Sequence, residues 1–165
     1  MTQIALIQKE LENEALTTRK LLALVPAEKF DWKPHPKSMV MMNLATHIAE
    51  LPTWVSMVLS TDELDFAVNE YKPTVVKDNK ELIELFEKSL ADGLSLLDDS
   101  KEDLLAKTWT LRMGEQILTT GSKADMIRHA LSQIIHHRAQ LGVYLRLLDI
   151  PIPGSYGPSA DETGA

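Results

Sequence analysis

The apolar pattern predicts an all-α fold, a four-helix bundle with a long crossover connection. Three observations carry this expectation: four segments in which apolar residues recur every three or four positions, a long irregular stretch between the second and third of them, and little strand-like alternation. At 165 residues, 44% hydrophobic and 25% charged, the chain has the balance of one globular domain spanning 1–165. No internal repeat of the solenoid kind is visible.

The first helix is expected over 2–24, where Ile4, Ile7, Leu11, Ala15 and Leu22 share a face and Pro26 closes it. The connector PAEKFDWKPHPKS holds three prolines, each lacking a backbone donor and biasing its predecessor away from helix. It reads as an ordered loop anchored by Phe30 and Trp32. Ser38 is expected to cap a second helix over 38–59, with Val40, Leu44, His47, Leu51, Trp54 and Val58 on one face. Pro52 removes a hydrogen bond to the Ile48 carbonyl and should kink or reset this helix just after His47. Residues 60–78 read as irregular. A third helix is expected over 79–97 through Leu82, Leu85, Phe86, Leu90 and Leu94. Residues 107–120, around Met113-Gly114, read as a short hairpin or an irregular connection. Ser122 with Asp125 resembles a capping box and opens a fourth helix to about Asp149, which Pro151 and Pro153 end. The tail, 150–165, is expected to be partly extended, packed in its first half through Ile150, Ile152 and Tyr156, and loose at its end.

Composition excludes several functions. The net charge of -7, with no local basic cluster, argues against nucleic-acid binding. No apolar stretch approaches the roughly 20 residues that span a bilayer, and MTQIALIQKELENEAL is unlike a signal peptide, so no membrane role and a cytoplasmic location are expected. Without cysteine there is no disulfide, thiolate ligand or thiol nucleophile, and any metal must take nitrogen and oxygen donors. No glycine-rich phosphate loop, G-x-S-x-G elbow or H-E-x-x-H is present. A di-iron bundle needs repeated Glu and E-x-x-H pairs, whereas this chain has one reversed H-x-x-E, His47 to Glu50. Met39, Met41 and Met42 suit core filling.

The histidines remain. SQIIHHRAQLGVYLR places two adjacent histidines on the fourth helix, where neighbours point about 100° apart. His137 falls in the stripe of Ala130, Ile134, Leu141, Tyr144 and Leu145, with His136 on its flank. His47 is flanked on its own helix by Asn43 and Glu50, as His137 is by Gln133 and Gln140. Either histidine alone is readily satisfied by a carbonyl or carboxamide. If the two helices face each other, the pair meets in one polar pocket, and Gln133, roughly 6 Å along the axis from His137, can help surround a divalent ion. Two imidazoles and a carboxamide leave positions open for water, the pattern of a catalytic metal site. Glu50 is a candidate ligand, orienter or general base, and His136 a candidate ligand or helper in proton transfer. His129, about 12 Å from His137, is too distant to share the ion easily, and His35 between two prolines reads as a loop residue.

The segment IIHHRAQLGVYLRLLDIPIPGSYGPSADE, with NLATHIAELPTW and the DW-x-P of the first connector, resembles the DinB/YfiT-like family across nearly the whole chain. The resemblance implies a four-helix bundle, frequent homodimers, and a divalent metal such as zinc, nickel or manganese on three histidines. The helix-two ligand matches His47 and the second helix-four ligand matches His137. The first helix-four ligand falls on Gln133, a weaker donor than imidazole, which implies a weakly held metal. The resemblance further implies a metalloenzyme acting on small molecules, either a transferase using a low-molecular-weight thiol or a hydrolase. The alternative is a non-catalytic dimeric bundle or ligand-binding protein with a degenerate metal site.

Overall fold

The computed structural model describes residues 1–164. Helix α1, Gln3–Leu22, begins where the Thr2 hydroxyl accepts the Ala5 amide, filling one of the four orphan donors of a helix start. Its apolar stripe is buried as the periodicity predicts. In the proline-rich connector, Phe30 joins the core and Trp32 meets Tyr144 edge-on at 5.7 Å.

Ser38 does not cap the second helix. Its amide donates to the His35 carbonyl, and α2, Met41–Glu50, starts after Val40, which offers no side-chain cap. Pro52 divides the expected single helix into α2 and α3, Thr53–Ser60. The break is packed closely. A Cβ on Gly93 of α4, Asn79–Ser95, would lie 2.3 Å from the Pro52 carbonyl oxygen. Asp78 caps α4 through the Glu81 amide. The long α5, Lys123–Leu147, carries the predicted capping box of Ser122 and Asp125, and Asp149 closes it with a left-handed φ of 57°.

The chain is mostly helical but not all-α. A three-stranded sheet lies in the order β1, Glu63–Asp65, then β2, Thr108–Met113, then β3, Gln116–Ser122. Strands β2 and β3 form the hairpin, turning at Gly114 with φ 59°, a conformation glycine adopts without strain. Strand β1 pairs parallel to β2 from within the segment that reads as irregular. Three residues pairing with a partner far along the chain leave no local periodicity to read. The sheet is held by Asp65, whose buried carboxylate accepts the Gly114 and Ala67 amides at 2.8 Å, and by Trp109, whose indole donates to the Thr61 hydroxyl at 3.0 Å.

Helices α2 and α3 pack against α4 and α5, and α1 closes the core on the same two helices. One charged contact runs through this core. Arg138 of α5, with only 2% of its side chain exposed, meets the Glu14 carboxylate at 2.6 Å and donates to the Glu14 carbonyl, the Thr18 hydroxyl and the Tyr156 hydroxyl. Tyr156 donates in turn to Glu14 at 2.8 Å, so the tail packs on α1 as expected. Residues 160–163, expected to be loose, form a helical turn, and Ala165 lies outside the described residues. Ser159 and Glu162 form a capping box on a short turn, α6, Ala160–Thr163, and Arg146 pairs with Asp161 at 2.6 Å.

Two substitutions test this packing. Gly93→Ala should lower unfolding free energy by about 1–3 kcal/mol through overpacking against Pro52, read from the urea midpoint. Arg138→Ala, which strands the Glu14 carboxylate in the core, should cost about 3–5 kcal/mol by the same measurement.

Candidate functional site

The two inward histidines meet. His47 on α2 and His137 on α5 lie edge to face, ring centroids 4.7 Å apart and planes at 80°. His137 is buried by the apolar stripe of α5, and its Nδ1 lies 2.9 Å from the Gln140 carboxamide oxygen. An oxygen accepts, so Nδ1 carries the proton and Nε2 keeps its lone pair. Among the described residues, neither ring nitrogen of His47 is hydrogen-bonded to the protein. Both imidazoles titrate below the ordinary histidine range. For His47 the cause is burial and then the neighbouring His137; for His137 it is burial, opposed by the Gln140 hydrogen bond and reinforced by His136. Both are therefore neutral donors at pH 7.

The other expected residues are placed differently. Gln133 lines a cavity of about 240 Å³ with His47, and its amide nitrogen lies 3.4 Å from His129 Nε2. His136 is exposed, with its ring 4.9 Å from that of His137. Glu50 accepts hydrogen bonds from the Tyr71 hydroxyl at 3.1 Å and from the Thr74 hydroxyl, so its carboxylate ties the 66–76 connector to α2. Burial, then the Glu50 charge, pushes the Tyr71 phenol up to about 12. Among the described residues no three His, Asp or Glu side chains converge to hold a metal ion. Glu50 and His136 thus do not form a three-residue His, Asp or Glu cluster with the pair. His35 lies in the loop, its Nδ1 accepting the Lys37 amide at 3.1 Å.

Cavities open beside His47. One of about 420 Å³ is walled by His47, Glu50, Trp54, Phe66, Tyr71 and Met113, and one of about 520 Å³ continues past Glu50, Trp54 and Tyr71 to Met57 and Leu85. Sequence reasoning set His129 aside and passed over Phe66 and Tyr71. His129 reaches the site through Gln133 and the cavity, although it is too far along α5 to join His137. Phe66 and Tyr71 arrive on the crossover, whose path no local pattern specifies.

A mostly helical fold carrying an inward histidine pair beside a cavity defines a class of small site-bearing helical proteins. Within it, the chain belongs to the DinB family, whose model matches residues 1–163. It is similar in fold to a DinB-like protein of Bacillus subtilis, at 19% identity and a TM-score of 0.69 over 90% of this chain and 96% of that one. A DinB-like protein of Bacillus cereus matches at 17% identity and a TM-score of 0.66 over 91% and 95% of the two chains. A protein ascribed to the same family from Exiguobacterium sibiricum matches at 22% identity and a TM-score of 0.69 over 93% and 97%. No curated protein matches at a significant level. Among the described residues no helix is long and apolar enough to cross a membrane.

The lowered imidazole pKa values set a pH dependence. The unfolded chain binds protons near 6.5, before the native His47 and His137 do, so stability is full above that value and falls as pH drops toward the native pKa values. In EDTA-treated protein the urea midpoint should decline on acidification below about pH 6.5, and the decline should shrink in His47→Gln/His137→Gln.

Proposed function

We propose that this protein is a divalent-metal-dependent enzyme acting on small molecules, built on a four-helix bundle in which α2 and α3 together make one of the four rods. His47 and His137 supply imidazole donors and Gln133 a weaker carboxamide oxygen. The observation that carries this reading is the pair itself: two neutral, inward imidazoles from different helices, 4.7 Å apart and beside a cavity. Gln140 supports it by holding His137 in the tautomer whose Nε2 can donate a lone pair.

A bound ion of the zinc, nickel or manganese kind supplies Lewis acidity that makes a thiol or a water nucleophilic near neutral pH. The chain's own groups do the rest. The imidazoles stay unprotonated, and Trp54 and Phe66 wall the space beside His47. Glu50 holds the crossover in place, and His136 is left to exchange protons from the exposed side of α5. Transfer of a low-molecular-weight thiol to an electrophile is the leading reaction, with hydrolysis second, in a cytoplasmic homodimer. A second reading has one observation in its favour, the absence of a third converging His, Asp or Glu among the described residues. It is a non-catalytic dimeric or ligand-binding bundle that keeps the pair as a polar core pocket.

Metal analysis separates them. Purified protein should bind on the order of one Zn, Ni or Mn per chain by calorimetry, as an open site with three protein ligands does. His47→Ala and His137→Ala should each abolish binding, and Gln133→His should tighten it. Gln140→Leu should weaken it about 10-fold or more, as loss of an orienting hydrogen bond does. Absence of binding at micromolar metal, with the fold and a dimer intact, selects the second reading. A thiol-transfer assay across several electrophiles then tests the chemistry.

A further inference from the structure

Trp54 lines all three cavities around the site. It stands on the first turn of α3, directly after the Pro52 break, and its ring lies 6.4 Å from that of Trp109, tilted by 57°. Trp109 is itself fully buried and hydrogen-bonded to Thr61, so Trp54 has a rigid backing. Phe66 and Met113 wall the space beside His47, and Met57 and Leu85 wall its continuation. The volume beside His47, about 420 Å³, lies within the range of small-molecule sites.

The charges around this space are unbalanced. Glu50, Glu70 and Asp92 line it against one lining cation, Lys88, and of the three carboxylates the exposed Glu70 is paired outside the trough with Lys72 at 3.3 Å. The hydroxyls nearest the carboxylates are already committed, Tyr71 and Thr74 to Glu50 and Ser56 to Asp92. An anionic ligand would meet like charge with few free donors. A flat uncharged body would meet the Trp54 indole and apolar walls.

We propose that this trough binds a neutral aromatic substrate body on Trp54, with the reacting end beside His47, and that its acidic rim turns away anionic molecules. The inference deepens the reading above by naming the substrate class, and it rests on that reading only for calling the bound molecule a substrate; binding itself needs no metal.

A matched pair of fluorescent probes tests it in the full chain treated with EDTA: neutral N-phenyl-1-naphthylamine and 1-anilinonaphthalene-8-sulfonate, which adds a sulfonate to the same rings. The neutral probe should bind saturably at one site and shift the His47 imidazole resonances in NMR spectra. The sulfonate should bind at least about tenfold more weakly. Trp54→Ala should weaken the neutral probe about tenfold. Met113→Asp, at a hairpin position 47% exposed and so safe for folding, should weaken it too while leaving circular dichroism unchanged. Non-saturable binding, equal affinity for the sulfonate, unmoved His47 resonances, or indifference to both substitutions overturns the proposal. Failure of metal binding with these results intact removes the catalytic reading and leaves the aromatic site standing; metal binding with these results absent does the reverse.

Discussion

The contact on which the site depends most is the buried pair of Arg138 and Glu14. Burying two charges costs several kcal/mol per ion, so such a pair adds little net stability over an apolar replacement. What it supplies is register. The guanidinium reaches the Glu14 carboxylate and carbonyl, the Thr18 hydroxyl and the Tyr156 hydroxyl, and these partners sit on α1 and the tail. Rotating α5 by one residue would leave a charge unpaired in the core. With Arg138 turned toward α1, the 100° step between helical neighbours turns His137 toward α2 and leaves His136 outside. The direction of the histidine pair is thus set from the opposite side of the helix.

A second constraint acts on α2 and α3. Pro52 cannot donate to the Ile48 carbonyl, so the helix stops and restarts, and Gly93 lets α4 approach the buried Pro52 carbonyl closely. Lys123, buried at the start of α5, caps the other end of α3 by donating to the Thr61 and Leu59 carbonyls. Pinned at both ends, α3 holds Trp54 beside His47. The break that looks like damage to a helix places the aromatic wall of the cavity.

Much of this was legible in the residues. The stripes of α1, α4 and α5, the Ser122–Asp125 box and the inward phase of His47 and His137 follow from 3.6-residue periodicity and local capping, which act over a few positions. What escaped depends on distant partners. Strand β1 is three residues long and exists because β2 lies beside it. Ser38 had the right chemistry for a cap, but its amide was drawn into a turn with His35 within a proline-rich loop. Glu50 has the right spacing from His47, yet spacing along α2 cannot reveal that Tyr71 and Thr74 return to occupy its carboxylate. The tail's capping box, Ser159 with Glu162, was readable by the rule that found Ser122, and no apolar run followed it to draw notice.

Gln133 is where these constraints meet. A histidine there would give α5 two imidazoles one turn apart and a third strong donor toward His47. Glutamine offers a weaker carbonyl oxygen, and its amide nitrogen is directed to His129. Among the described residues this 3.4 Å contact is the one hydrogen bond between the Gln133 carboxamide and another side chain. With glutamine there, no third imidazole adds like-charge repulsion, so the neutrality of His47 and His137 rests mainly on their burial. A site of this kind trades donor strength for an uncharged, partly apolar surround, in keeping with the walls that Trp54 and Phe66 build beside it.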